Sequence, residues 1–342
     1  MVGPAVTSRR AAIRMAVSGK QRAAMDLRQL RTFHAVAELG SLSKAADTLR
    51  IAQPSLSRQI KLLEHELRVE LFVRSGRGML LTAPGRTLLA RTSGLVRQIE
   101  QVRDDIQSAG GIPSGQVILG LVPTVSAVLA GRFAKRAIAE LPGIALRIIE
   151  SYGGHLVDWL HRGEMDLAIT YGPASELHLS VQSIGREDLA VVGPPNSGLN
   201  ELGQVSMEWL VEQKLVLPSL AHGMRLLLER AAAQRNLVLK ALVEADSYRI
   251  HINLVEEGLC YTVLPPSALR KEIAAGTVEI ATLASPSLSR ELILASPVSP
   301  SPSIATSAIS ALLLDEIGQM VTEGLWDIRL ERSPNGSKPL LR

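Results

Sequence analysis

Between Gln53 and Lys61 the chain reads Gln-Pro-Ser-Leu-Ser-Arg-Gln-Ile-Lys, where polar and cationic side chains surround two apolar anchors. Gln53 can bridge N6 and N7 of an adenine, and Arg58 can bridge O6 and N7 of a guanine. Ser55 and Ser57 can reach a base edge or a phosphate, and Lys61 supplies a point charge. Pro54 sits where a helix would begin, at a position whose missing N–H is not needed. About a dozen residues later, "LFVRSGRGMLLT" places Arg74 and Arg77 on a hairpin-like segment, with Gly76 and Gly78 allowing the tight turn. Taken alone, polar residues opposite a leucine stripe are also what any solvated helix face looks like.

A second set of polar residues recurs in another context, at the ends of short apolar runs just before helical patterns. Pro123-Thr124-Val125-Ser126 follows "QVILGLV", Tyr171 ends "DLAITY", Ser219 and His222 follow "KLVLP", and Asp246-Ser247 follow "LKALVE". Hydroxyls and free N–H groups at a helix start make an anion site, suited to a carboxylate or similar group. Simple N-capping accounts for Thr124, Ser126, Ser219 and Ser247 about as well.

Enzymatic chemistry finds little support. The chain has no G-x-S-x-G elbow, no G-x-G-x-x-G after a strand, no P-loop and no H-E-x-x-H. Its seven histidines do not pair at metal-ligand spacing, and His155 and His161 do not share a helix face. The single cysteine, Cys260, excludes an internal disulfide and fits a reducing cytosol; it lies in the apolar run "CYTVL" with no resolving partner. No catalytic residue, metal or cofactor is expected.

The elements that must position these residues fall into two kinds. From Met25 to about Gly78 the periodicity is helical. Leu27, Leu30, Phe33 and Val36 lie on a first helix closed by Gly40, and a second runs about Ser43–Leu49 with Ser41 or Ser43 as cap. A third, about Pro54–Leu67, buries Leu56, Ile60, Leu63 and Leu67. Thr82 then caps a long helix to about Ser108, on which Leu95, Ile99, Val102 and Ile106 repeat at four-three-four spacing. That stripe reads as a seam against the same helix of a second subunit. After the "GGIPSG" linker, short strands alternate with helices (about Ala127–Glu140, His155–Arg162, Met224–Gln234 and Tyr248–Glu257). The alternation implies βαβ units and a mostly parallel sheet, occurring twice, so two α/β lobes flank a cleft. "RELILAS" and a helix at about Ser303–Glu323 return to the first lobe.

Charge follows the same division. Residues 1–110 hold 18 Lys and Arg against 9 Asp and Glu, a net +9; the remainder holds 19 against 24, a net −5. Only the basic front is suited to meet a polyanion. No run approaches the roughly 18 apolar residues that cross a bilayer, so no membrane partner is expected. Residues 1–24, with five basic and no acidic residues, lack the apolar core of a secretory signal. They read as a disordered extension or the product of an upstream start codon.

From Asp26 to Gly85 the chain resembles the winged helix-turn-helix of LysR-type transcriptional regulators. The resemblance is carried by Phe33, Gly40-Ser41, Ala45-Ala46, the run Gln53 to Ser57, Ile60, Leu63-Glu64, Leu67, Leu71-Phe72, Arg74 and Thr82-Ala83-Pro84-Gly85. "LPGIALRIIESYGGHLVDWLHRGEMDLAITYGP" and "LVLPSLAHGMR" further resemble the subgroup around the nitrogen assimilation control protein. The resemblance implies an α/β protein in five parts: a mainly α winged helix-turn-helix at 25–83, a linker and dimerisation helix at 84–111, a periplasmic-binding-protein-like effector domain at 115–331, and flanking segments 1–24 and a disordered 332–342. Lobe 1 of the effector domain would comprise about 115–192 and 293–331, and lobe 2 about 193–292. It assigns DNA contact to Gln53, Pro54, Ser55, Ser57 and Arg58 and places Arg74 and Arg77 in the wing. Its inducer pocket falls at Thr124 and Ser126, with Tyr171, Ser219, His222 and Asp246 as further candidates.

The implied function is a cytoplasmic, non-enzymatic regulator that binds an interrupted palindrome in promoter DNA as a dimer or tetramer, under a small anionic effector. The resemblance also admits RNA polymerase as a partner. An inducer-independent regulator is the alternative within the family. A solute-binding α/β protein is the alternative outside it.

Overall fold

The computed structural model describes residues 25–76, 78–108, 111–172, 178–284 and 287–330. The chain divides into two compact units, one running to Arg97 and one beginning at Gln98. The proposed extension 1–24, the proposed tail 332–342 and Arg77 lie outside the described residues.

The first unit opens with three helices, α1 (Leu27–Leu39), α2 (Leu42–Leu49) and α3 (Gln53–Leu67). Asp26 and Gln29 cap α1 reciprocally, and Gly40 ends it in the left-handed region at φ 61°. Ser41, not Ser43, caps α2 by accepting from the Lys44 N–H. Arg50 then closes α2 at φ 54°, which turns the chain before Pro54 restarts it as α3. Phe33, Val36, Ala45, Ala46, Leu56, Ile60, Leu63, Leu71 and Phe72 form one buried core. Leu67 is a correction: at the end of α3 it has run past that core and lies exposed.

A two-stranded antiparallel wing follows, β1 (Phe72–Ser75) and β2 (Gly78–Leu81). It is tied to the helices at both ends. The Met79 N–H donates to the Gly40 carbonyl at 2.8 Å, and a Cβ on Gly78 would sit 2.3 Å from that same oxygen, so only glycine fits. Glu64 on α3 accepts from the N–H groups of Leu71 (2.8 Å) and Phe72 (3.3 Å). Thr82 accepts from the Gly85 N–H and donates to the Glu70 carbonyl, starting α4 (Ala83–Ser108). This helix begins in the first unit and ends in the second. Leu95, Ile99, Val102 and Ile106 on it are all exposed.

The second unit is α/β. Its larger sheet has six strands in the order β14-β6-β13-β5-β3-β4, made from β3 (Gly115–Leu121), β4 (Ile144–Glu150), β5 (Leu167–Tyr171), β6 (Ser180–Asp188), β13 (Ser289–Ser296) and β14 (Ile328–Leu330). The mostly parallel sheet expected here is corrected. β3 runs parallel to β4 and β5, but β13 is antiparallel to β5 and β6, and β14 is antiparallel to β6. The physical reason is that β6 carries the chain out of this sheet and β13 carries it back, and crossing strands need no right-handed helical return. β6 was not anticipated, because "SVQSIGRED" alternates without an apolar majority.

Beyond β6 lie β7 (Ala190–Gly193), β8 (Gln204–Val205), β9 (Leu215–Leu217), β10 (Ala241–Glu244), β11 (Thr262–Leu264) and β12 (Glu279–Leu283). They form a four-stranded sheet, β11-β7-β12-β8, and a parallel pair, β10-β9. The helices that concern the site are α5 (Pro123–Glu140), α6 (Gly153–His161), α9 (Gly223–Ala233), which follows two short helices α7 (Leu199–Leu202) and α8 (Met207–Val211), and α10 (Tyr248–Glu256). After α11 (Arg270–Ala275) comes α12 (Ile304–Thr322), whose apolar run is interrupted by Asp315 and Glu316. By length and composition this helix could cross a membrane. Here it packs on α5 and β3, and its buried Glu316 is paired with Arg132 and Arg136 of α5.

Candidate nucleic-acid interface and effector site

On α3 the apolar positions turn inward and leave a polar face out. Gln53, Pro54, Ser55, Arg58 and Lys61 are exposed, and Ser57 is half-buried. Pro54, Ser57, Arg58, Lys61 and Leu62 line one shallow depression on this face. Gln59, by contrast, accepts from the Thr32 hydroxyl and is turned toward α1. The Gln53 amide oxygen is steadied by the Ser43 hydroxyl at 3.3 Å, which links the support helix to the presented one. Arg74 on β1 is exposed. Among the described residues no acidic side chain pairs with Arg58, Lys61 or Arg74, so their charge is available to an external anion.

In the second unit, α5 starts at Pro123, four residues earlier than its pattern suggested, because proline fits the first turn. Thr124 and Ser126 therefore lie inside that turn, and neither caps it: Val122 is the N-cap, without a side-chain bond. The Thr124 hydroxyl instead lies 2.9 Å from the Tyr171 hydroxyl and accepts from Arg290 Nη2 at 3.0 Å. Tyr171 donates to Glu187 at 3.1 Å, so the Thr124 proton is the one shared with Tyr171. Arg290 Nη2 also reaches Glu187 at 3.1 Å, which closes a ring of four side chains. The Arg290 guanidinium carbon stands 3.5 Å from the Tyr171 ring centre. Burial raises the Tyr171 hydroxyl far above the usual phenol range, so it stays a donor. Ser126 is half-buried and takes no part in this ring.

Glu187 and Arg290 were not found by sequence reasoning. Glu187 sits in the polar run that hid β6, and Arg290 was visible only as the start of "RELILAS". The glutamate is almost fully buried and also accepts from Ser267 (2.7 Å) and the Trp326 indole (2.9 Å).

The other predicted residues gather at the start of α9. His222 caps this helix, its Nδ1 accepting from the Met224 N–H, and Asp246 accepts from the Ser219 N–H at 2.9 Å. That bond, with a second from the Ser219 side chain, holds the Asp246 carboxyl below its ordinary value. The Tyr152 ring, at the start of α6, meets the His222 ring edge-on at 5.6 Å. Burial lowers His222, and the Arg290 charge pushes it the same way while Asp246 opposes.

His251 behind them is buried and engaged at both nitrogens, with Nδ1 2.8 Å from Thr262 and Nε2 donating to the Ala245 carbonyl at 2.7 Å. Burial lowers its pKa below 6.5. A folded value below the unfolded one means that the unfolded chain binds more protons at low pH. The stabilisation is thus complete above pH 6.5 and is lost as pH falls below that value. The expected result is a melting temperature that declines from pH 7.5 to 5.5. His251→Gln should flatten that slope, and an unchanged slope would exclude His251 as its source.

Among the described residues no group of three or more His, Cys, Asp or Glu is placed to hold a metal ion. Cys260 is buried, and burial raises its thiol.

Residues 27–86 match the bacterial regulatory helix-turn-helix protein family, lysR family, and residues 110–318 match the LysR substrate binding domain. The nitrogen assimilation regulatory protein nac of Escherichia coli is 31% identical over 301 residues, spanning 87% of this chain and 97% of its own. The transcriptional regulator BbuR of Bordetella bronchiseptica is 31% identical over 74% of this chain and 78% of its own. Full-length OxyR from Pseudomonas aeruginosa shares the fold with a TM-score of 0.70 at 24% identity, covering 91% of this chain and 99% of that one. CbnR in complex with its target DNA superposes with a TM-score of 0.62 at 17% identity, covering 86% and 99%. The named relatives are regulators and not enzymes. With a helix-turn-helix whose exposed α3 face is cationic, and with the family's two parts matched in order, the chain belongs to the LysR family of DNA-binding transcriptional regulators.

Proposed function

We propose that this regulator reads an interrupted palindrome in promoter DNA as a dimer joined through α4, with further assembly to a tetramer, in the cytoplasm, and that RNA polymerase is a partner there. The observation that carries this reading is the pairing of an unneutralised cationic face on α3 with the exposed apolar stripe of α4. Gln53, Pro54, Ser55, Ser57, Arg58 and Lys61 contact bases and adjacent phosphates, and Arg74 meets the backbone or minor groove; Arg77 belongs with it by sequence alone. One monomer makes too few phosphate contacts for tight specific binding, and a two-fold dimer doubles them.

A small anionic effector modulates the protein through the ring around Thr124 and Tyr171 in the first lobe and Ser219, His222 and Asp246 in the second, with Ser126 at the rim. One observation favours the inducer-independent alternative: the Thr124 and Tyr171 hydroxyl protons are already used internally.

The test is a gel-shift titration of the purified chain on its own upstream region at several salt concentrations. The expected result is binding that prefers that sequence and weakens steeply with salt. Binding without sequence preference would overturn the proposal.

A further inference from the structure

We propose that Arg290 is the residue that receives the effector, that the effector is a small carboxylate, and that Glu187 is a built-in competitor for the same guanidinium. This rests on the reading that an anionic effector binds in this domain, and it names the atoms.

Arg290 carries five N–H donors, and its side chain is largely buried. Among the described residues only Nη2 is engaged, with Thr124 and Glu187. Nε is buried and meets no hydrogen-bond partner among the described residues. A buried charged donor left unmade is costly, and most such donors in folded proteins find an acceptor. The open donor thus lies on Arg290, not on Thr124 or Tyr171, whose protons are committed. A planar carboxylate suits a guanidinium edge because its two oxygens accept parallel N–H bonds. Thr124, the second residue of the 18-residue helix α5, keeps that helix's positive end beside the same group.

Glu187 holds four donors: Arg290, Tyr171, Ser267 and Trp326. It can release Arg290 and remain bonded to three neutral partners. A ligand carboxylate approaching Arg290 must nevertheless work against this resident negative charge. Making residue 187 neutral removes the repulsion while preserving shape.

The experiment compares melting temperatures of the full-length wild type, Glu187→Gln and the double variant Glu187→Gln/Arg290→Gln. Acetate and benzoate are titrated against chloride at equal ionic strength. The double variant guards against misfolding, because it replaces the buried ion pair by a neutral pair. Glu187→Gln is expected to bind acetate or benzoate roughly tenfold tighter than wild type or better, and the double variant to show no carboxylate-specific stabilisation. Equal responses in the two variants would place the carboxylate elsewhere and overturn the assignment while leaving an anionic effector in place. A Glu187→Gln response to chloride equal to that to acetate, or no gain over wild type, would also overturn it. DNA binding by the wild type, read separately by gel shift, tests the regulator reading independently.

Discussion

Replacing Ile99 and Val102 together with aspartate is expected to leave a folded monomer whose affinity for its full site has dropped by about 10²–10⁴-fold. The two positions are exposed at 46% and 58%, and with Leu95 and Ile106 they repeat at the spacing of a helix-helix seam. Isolated exposed leucines are ordinary on a protein surface, but four in register along one helix are not. Two carboxylates placed opposite their own copies across a two-fold axis would repel and would lose solvent on closure, and both effects oppose association. Because neither side chain supports the monomer's core, thermal stability measured at low protein concentration should change little. Light scattering coupled to size exclusion reports the mass, and gel shift reports the affinity. A variant that stays dimeric would place the interface elsewhere. A monomer that binds the full site as well as wild type would show that the dimer does not supply the affinity.

How much of this was legible in the sequence depends on the distance over which each feature is determined. The helix-turn-helix was readable because its signals are local: Gly40 ending one helix, Ser41 capping the next, Pro54 restarting the third. The reading face followed, since Leu56, Ile60 and Leu63 fix which side is buried and so which side remains. Even there the inward turn of Gln59 has no local signal, because its partner Thr32 lies 27 residues away. In the second unit Thr124 and Tyr171 were found from strand ends, a local rule. Glu187 and Arg290 were not, because nothing near Glu187 in sequence signals burial. Its donors come from Tyr171, Ser267, Arg290 and Trp326, which only the crossing of β6 and β13 brings together. Those same crossings made the larger sheet mixed, and strand-helix alternation carries no sign of them. Tertiary burial of polar groups is the part that periodicity does not encode.

Arg58→Ala is expected to weaken binding to the specific site by roughly 1–3 kcal/mol, about 5- to 150-fold, with little change in melting temperature. The side chain is exposed and, among the described residues, unpaired, so its removal leaves no cavity and no orphaned partner there. It lies on the first two turns of α3, the end of a recognition helix that reaches base edges, and it shares a surface depression with Pro54, Ser57 and Lys61. A bidentate contact to guanine O6 and N7 would make the loss sequence-dependent, with discrimination at that one base pair relaxing. A phosphate contact would produce a different signature: the same fractional loss on every sequence, with the salt slope reduced by about one. Lys61→Ala serves as the internal comparison, since an ammonium recognises phosphate as a point charge and lacks the planar fork. Measuring both variants on the specific site, on single-base changes of it and on unrelated DNA separates the two roles. If Arg58→Ala loses affinity uniformly, the base-reading burden passes to Gln53, Ser55 and Ser57, whose alanine variants would then have to carry the sequence preference.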